Sequence, residues 1–296
     1  MNAPKSRISI KITALEILSE PLSLLILLAA LTLTVFAPYI HFHQFGEPTR
    51  MARDAGLSSI FTCGSALAIF ATIRSFRREI ESGTLEMALA HPISRAGFFL
   101  AKTLGAFAAC AVMMAIVFGV MATVVIGADV GGRLAAETGD LPVLWGPAFA
   151  SGVGVLVLPL AVGALLNRFG RFRFVLTAFV TAFILAALSA AAFGFFVGGS
   201  LLLRLLPAAL LLVAHAAVLV AAAAAFSVRF AANAASALAL LVFAGALPFA
   251  GNYYLAESLS RGGAISWSYV GLATLAAAPA VAAFLLVGCR FSRARE

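Results

Sequence analysis

Eight long apolar stretches, separated by short polar loops, constrain this chain more than any other feature of its sequence. A membrane-spanning helix needs about 20 apolar residues to cross roughly 30 Å of hydrocarbon. Of the 296 residues, 63% are hydrophobic and only 11% are charged, whereas soluble domains carry about a quarter charged residues. The sequence therefore predicts an all-α, polytopic membrane protein with a single transmembrane domain over residues 1–296. The predicted spans are 22–40, 57–76, 97–126, 145–166, 174–197, 201–226, 231–250 and 266–289.

The distribution of lysine and arginine predicts the topology. With a cytoplasmic N-terminus, 15 of the 20 basic residues fall on the inner side and 5 on the outer side, as the positive-inside rule requires. Eight spans return the C-terminus to the cytoplasm. The expected location is thus the inner (cytoplasmic) membrane. The net charge of +8 is a topology signal, and no aromatic–basic interleaving indicates a nucleic-acid partner.

The segment 8–20 precedes the first span and has helical periodicity. Its apolar residues recur at helical spacing, at Ile8, Ile12, Leu15, Leu18 and Leu22. This pattern favours an interfacial helix that lies flat on the cytoplasmic surface and turns at Pro21 into the span. The alternative is a simple cytoplasmic extension of the span.

The loop 77–95, between the second and third spans, is unusually rich in charge. Arginines end the second span, two glutamates follow, and a Ser-Gly-Thr break precedes a short predicted helix over 84–90. Pro92 stops that helix because it disfavours helical backbone in the residue before it. One face is apolar, with Leu85, Ala88 and Leu89. Such a helix either docks in a groove on a partner or merely connects two spans at the surface.

The amino-acid sequence of this loop resembles a known signature. Glu79, Glu81, Gly83, Thr84, Leu85, Glu86, Leu89, Pro92, Ser94, Arg95 and Lys102 match the pattern E-x-G-T-L-E…L…P-x-S-R…K. That pattern is similar to ABC-2 type permeases, the membrane subunits of ATP-binding-cassette exporters, including the group linked to multicopper-enzyme maturation. The resemblance covers the first 126 residues. The family commonly has six spans, so eight spans correspond to six plus a hairpin.

The resemblance implies roles for both cytoplasmic segments. Residues 77–95 correspond to the coupling helix that docks on the nucleotide-binding subunit, and 8–20 to the elbow helix. The positions carried over for docking are Glu81, Gly83, Thr84, Leu85, Glu86, Leu89, Pro92 and Arg95. The implied partners are a P-loop ATPase subunit, a second copy of the permease or a related one, and the lipid bilayer.

The chain itself lacks the machinery to bind ATP through a P-loop. It contains no G-x-x-x-x-G-K-[ST] motif, so the phosphate cradle is missing. We therefore expect no enzyme activity and no cofactor in this chain, with ATP and Mg²⁺ bound by the partner. The spans are also poor in ionisable residues, which disfavours a secondary carrier driven by an ion gradient.

Three histidines are the remaining polar candidates. His215 lies mid-span, where it is either a substrate or proton ligand or the donor of an interhelical hydrogen bond. His41 and His43 form an H-x-H at the outer end of the first span, and imidazole suits copper or zinc. The alternative for this pair is two ordinary interfacial histidines.

The sequence thus favours a permease subunit that couples ATP hydrolysis by a separate subunit to movement of an unknown substrate. A second hypothesis is a non-transporting membrane anchor or force-transmitting subunit of an ABC-type complex. A secondary carrier comes third.

Overall fold

The computed structural model describes residues 3–40, 48–82, 94–138, 145–170, 172–195, 199–254 and 265–293, and these segments are almost entirely helical. The predicted all-α class is confirmed. The helices are α1 (Ala3–Leu18), α2 (Pro21–Ile40), α3 (Pro48–Glu81), α4 (Arg95–Thr138), α5 (Trp145–Gly170), α6 (Phe174–Phe193), α7 (Gly199–Arg229), α8 (Ala232–Tyr254) and α9 (Trp267–Arg293). Each of the eight predicted spans falls on one of the helices α2 to α9.

Six of the described helices are long and apolar enough to cross a membrane: α3, α4, α5, α6, α7 and α9. A seventh candidate arises if α1 and α2, which meet at a bend of 65°, count as one broken span. The apolar part described for α8, Ala232–Gly245, is shorter. The described residues therefore give a multi-pass helical protein with six candidate spans, where the sequence predicts eight.

Two predicted outer loops are partly helical, which corrects the sequence-based boundaries. Residues 48–56 belong to α3 and residues 127–138 belong to α4. The 44 residues of α4 measure about 66 Å along the helix axis, twice the thickness of the hydrocarbon layer. Hydropathy predicts only where an apolar run ends, whereas these two helices continue into polar residues. In α4, Arg133 Nη2 lies 2.8 Å from Asp129 Oδ2, one turn earlier.

Helices α3 and α4 form the centre of the bundle, and α9 is almost entirely on its surface. Small residues permit close helix crossings, as expected where lipid supplies no hydrophobic driving force. A Cβ added to Gly119 of α4 would lie 2.9 Å from the carbonyl oxygen of Ala186 in α6. The same pair of helices is joined by a hydrogen bond of 3.2 Å from the Thr123 hydroxyl to Ser189 Oγ.

The described basic side chains concentrate at one end of the bundle. This end, which we call the basic end, contains the end of α3, the start of α4 and the bend between α1 and α2. Its basic side chains are Arg7, Lys11, Arg74, Arg77, Arg78, Arg95, Lys102, Arg168, Arg173, Arg229 and Arg290, against Arg50, Arg53, Arg133 and Arg204 toward the opposite end. The asymmetry agrees with the charge pattern of the sequence, and the cytoplasmic orientation stays a prediction.

Candidate functional site

The segment that carries the sequence signature connects α3 to α4 at the basic end. Glu81 is the last residue of α3 and Arg95 the first of α4. The other docking positions, Gly83, Thr84, Leu85, Glu86, Leu89 and Pro92, lie outside the described residues, as do His41 and His43. The predicted coupling helix at 84–90 therefore stays a prediction. Helix α3 continues past Arg77 and Arg78 to Glu81, so the helix extends beyond the predicted end of the second span.

A buried ion pair joins α3 and α4 directly below this segment. The side chain of Lys102 is 0% exposed, and its Nζ lies 2.6 Å from Oε1 of Glu79. The ammonium also lies 5.3 Å from the centre of the Phe76 ring, within range of a cation–π interaction. Loss of either partner of a buried pair leaves an uncompensated charge, so this contact fixes the two helices to each other.

An aromatic cluster surrounds the same contact. The rings of Phe76 in α3 and Phe99 in α4 lie 5.7 Å apart. Phe99 is buried, and Val228 near the end of α7 belongs to the same cluster. Gly288 of α9 lies directly on the Phe99 ring, where a Cβ would collide with it. The base of the loop is therefore packed against the ends of two further helices.

The bend between α1 and α2 is held by side-chain hydrogen bonds. The Ser23 hydroxyl donates to the carbonyl oxygen of Ile17 at 2.7 Å, and the Ser19 hydroxyl donates to that of Leu15 at 2.6 Å. Both carbonyl oxygens also accept backbone hydrogen bonds, from Ser19 N–H to Leu15 at 3.0 Å and from Glu20 N–H to Ile17 at 3.2 Å, so each hydroxyl adds a second donor at the end of α1. Pro21 then opens α2, since proline is well suited to the first helical position.

Helix α1 packs closely against the start of α4. A Cβ added to Gly105 would lie 2.7 Å from the backbone oxygen of Ile10 and 2.7 Å from Cβ of Thr13. The apolar stripe predicted from the sequence is divided, because Ile8 is 59% and Ile12 60% exposed. Ile17, outside that stripe, is fully buried. The face of α1 that packs on α4 is the one opposite Gly105, where the backbones can approach closely. The periodicity of apolar residues in α1 does not predict this face.

Ion pairs connect the end of α3 to the bend. Arg74 Nε lies 3.6 Å from Oε1 of Glu20, and Arg78 Nη1 lies 3.8 Å from Oε1 of Glu16. Arg77 instead pairs within α3, at 2.9 Å from Oε1 of Glu81. The end of α3 is thus linked to α4 on one side and to the bend on the other.

Glu20 is the residue of these pairs whose carboxyl group is partly buried. It lies in the connection between α1 and α2, and its Oε2 is buried without a hydrogen-bond partner among the described residues. Burial raises the pKa of the Glu20 carboxyl, and the nearby Arg74 guanidinium only partly offsets that rise. The ionised form of this carboxyl is therefore less favourable than it would be in water.

His215 lies in α7, and its two predicted roles, a substrate or proton ligand or an interhelical hydrogen bond, stay predictions. Its Nε2 is buried without a hydrogen-bond partner among the described residues. The imidazole lies between two aromatic rings, 5.1 Å from that of Phe61 in α3 and 6.1 Å from that of Phe243 in α8. Among the described residues, the contacts given for the imidazole are these two aromatic rings.

Metal ligation gains no geometric support from the described part of the chain. No group of three or more His, Cys, Asp or Glu side chains there is arranged to hold a metal ion. The H-x-H candidate, His41 and His43, stays a prediction outside that part.

Known proteins give no independent guide to this site. No family model, curated protein or solved structure matches the chain. The functional argument therefore depends on the sequence signature and on the contacts described above.

Lys102 matches the signature, but the signature does not predict that its side chain is buried. The available signal was its isolation, because it is the one charged residue between Arg95 and Asp129. A lone lysine in an apolar run predicts a buried partner. Three acidic residues precede Lys102 closely in the sequence, and they are Glu79, Glu81 and Glu86. Glu79, near the end of the preceding helix, is the one that pairs with it.

Proposed function

We propose that this chain is the transmembrane permease subunit of an ATP-binding-cassette exporter, oriented with its basic end in the cytoplasm. The resemblance of residues 79–102 to the ABC-2 signature motivates the assignment. The concentration of arginine at the basic end supports the orientation, because cytoplasmic loops and helix ends carry an excess of basic residues.

The observation that carries the proposal is the buried contact between Lys102 and Glu79 at the base of the signature segment. A flexible connection would absorb any force applied to the segment 82–94. Here the two helices that flank it are fixed to each other, so a force on the segment acts on α3 and α4 together. These are the most buried helices of the bundle, and their displacement would rearrange its core.

The bend between α1 and α2 extends this rigid base. Arg74 and Arg78 connect α3 to Glu20 and Glu16, and α1 lies against Gly105 of α4. We assign α1 as the interfacial elbow helix, with its exposed Ile8 and Ile12 in the membrane surface. The elbow, α3 and α4 would then move as one body.

The energy source in this proposal is a separate P-loop ATPase that binds ATP and Mg²⁺. Each permease chain supplies one signature segment, whereas a closed pair of ATPase subunits offers two grooves. A second copy of this chain, or a related permease, is therefore part of the proposed complex. ATP binding would bias the bundle between inward-facing and outward-facing or laterally open states.

The test is a paired substitution in the signature segment. Gly83→Arg with Leu85→Arg should abolish recovery of a P-loop ATPase with the tagged chain and should uncouple ATP turnover, because two cations replace the small and apolar docking positions. The matched control is Phe172→Arg, at an exposed residue in the connection between α5 and α6 at the same end.

The control variant should retain the ATPase, and both variants should insert into the membrane in normal amounts. Retention of the ATPase by the doubly substituted chain would contradict the docking role. Equal loss in both variants would show only that added charge at this end disrupts the complex, and would also remove support for a specific segment.

A force-transmitting role without transport is the second candidate, and the length of α4 favours it. Residues 127–138 extend α4 beyond its predicted span at the end opposite the signature segment. A helix that runs from the base of that segment to the far side of the membrane could act on an extracytoplasmic partner. ATP-dependent release of cargo from vesicles separates the two candidates, since a purely mechanical subunit would release none.

A further inference from the structure

The basic end contains an open cleft between α2, α3 and α8, and two of the arginines that line it, Arg74 and Arg78, also pair with the bend between α1 and α2. The volume of the cleft is about 1010 Å³. Three arginines of α3 line it: Arg74, Arg77 and Arg78. The acidic residue that faces the cleft is Glu81, and its Oε1 already accepts a hydrogen bond of 2.9 Å from Arg77. The lining therefore keeps a net positive charge.

Two of these arginines remain available to a ligand. The side chains of Arg74 and Arg78 are 62% and 66% exposed. Their distances to Glu20 and Glu16, 3.6 and 3.8 Å, are too long for hydrogen bonds. A guanidinium has five N–H donors in a planar fork that matches the oxygens of a phosphate group. The two residues are also four apart in α3, so both present their forks on one side of the helix.

The cleft changes from polar to apolar along its length. Phe70, one helical turn from Arg74 toward the middle of α3, lines it and is partly exposed, and Leu22 of α2 lines the opposite wall. Leu25 follows Leu22 by one turn and is exposed. On α8, the lining residue Ser236 is followed one turn later by the exposed Leu240. A charged mouth thus continues into an apolar surface in the direction of the membrane interior.

We propose that this cleft binds an anionic phospholipid, with the headgroup phosphate at Arg74 and Arg78 and an acyl chain along Phe70 and Leu22. Basic pockets between transmembrane helices at the cytoplasmic side recognise lipid headgroups in this way. A free phosphate ion would use the arginines alone and leave the apolar wall without a role. The neighbouring cleft between α1, α3 and α6 shares Arg74 and Arg78 with this one, and it is the weaker site because Glu16 and Glu20 also line it.

The experiment measures lipid binding to the purified full-length protein by native mass spectrometry. Phosphatidylglycerol is titrated against phosphatidylcholine, and soluble glycerol phosphate is added as a competitor. Arg74→Gln with Arg78→Gln is compared with Arg168→Gln and Arg229→Gln, which removes the same charge from exposed residues at the same end that line neither cleft.

Binding of phosphatidylglycerol should fall at least about fivefold in the cleft variant, the effect of about one basic residue at a membrane surface. It should change little in the control variant. Competition by millimolar glycerol phosphate would overturn the proposal in favour of a free-anion site. Equal losses in both variants, or no preference for phosphatidylglycerol over phosphatidylcholine, would overturn it as well.

A second variant tests the cleft without altering its charge. Ser236→Trp would place an indole ring in the cleft from its α8 side. Ala237→Trp adds the same ring at an adjacent exposed residue that does not line the cleft. Phosphatidylglycerol binding should fall only in the first. Unchanged binding with the cleft filled would overturn the assignment.

Discussion

The two ends of α3 and α4 use their charges differently. At the basic end, three ion pairs connect separate elements, Lys102 with Glu79, Arg74 with Glu20, and Arg78 with Glu16, beside the pair of Arg77 with Glu81 within α3. At the opposite end, the ion pairs among the described residues remain within one helix. They are Arg50 with Asp54, Arg53 with Asp54, and Arg133 with Asp129.

The ion pairs at the two ends therefore have different structural roles: some connect two helices, and others lie within the polar turns at the end of one helix. Pairs within one helix, at exposed positions, contribute little to stability and add polar turns to a span. A buried pair between helices fixes their relative position, because either partner alone would be costly. In the proposed mechanism, the basic end is therefore the part of the molecule that receives the force.

The largest expected effect comes from breaking the buried pair. Glu79→Leu leaves the fully buried Lys102 ammonium without its anion and should lower the free energy of unfolding by about 3 kcal/mol. Arg133→Met removes a cation of α4 from an exposed pair and should cost less than about 1 kcal/mol. Thermal unfolding of the purified proteins in one detergent measures both.

A double variant sharpens this result. Lys102→Met with Glu79→Leu leaves no charge to bury and should recover most of the lost stability, since an apolar pair can replace a buried ion pair. Equal destabilisation by the single substitution in the buried pair and by Arg133→Met would show that the two ends do not differ in this way.

Two glycines of α4 test the packing difference between the ends. Gly105→Ala should destabilise the protein by about 1–3 kcal/mol, because the added methyl would collide with the backbone of α1. Gly132→Ala, with nothing within 4 Å of the added atom, should be neutral or stabilise by up to about 1 kcal/mol. Equilibrium unfolding in denaturant compares them, and a neutral Gly105→Ala would contradict the close contact with α1.

The smallest expected effect is on pH dependence. Burial raises the pKa of Glu20 in the folded protein, so the folded state holds that proton more tightly than the unfolded chain does. Stability should therefore fall as pH rises from about 4.3 through the raised value. Glu20→Gln should remove this component, so that melting temperature declines less between about pH 4 and pH 7. A steeper decline in the variant would contradict the assignment.

The sequence predicted the helices well and their ends poorly. Apolar run length is a direct consequence of bilayer thickness, so each predicted span coincides with a helix. Polar turns such as 48–56 and 127–138 are helical for reasons of local pairing that hydropathy does not register. The burial of Lys102 and the packing of α1 on Gly105 depend on which helices meet, and that information is not contained in any single segment.

The candidate site divides in the same way. The signature located the loop between α3 and α4, and the described residues place Glu81 and Arg95 at its two ends. The sequence did not predict the ion pairs from Arg74 and Arg78 to the bend, because they join residues more than 50 positions apart. The two roles considered for His215 stay predictions, and the aromatic rings beside it belong to helices α3 and α8, which the sequence alone does not bring together.

Site-specific photo-crosslinking in native membranes tests the central claim most directly. A photoreactive amino acid at Leu85 should crosslink to a subunit that mass spectrometry identifies as a P-loop ATPase, and the yield should change when MgATP is added. The same probe at Phe172 should not produce that product. Absence of an ATPase crosslink from position 85, or an equal yield from position 172, would contradict the account.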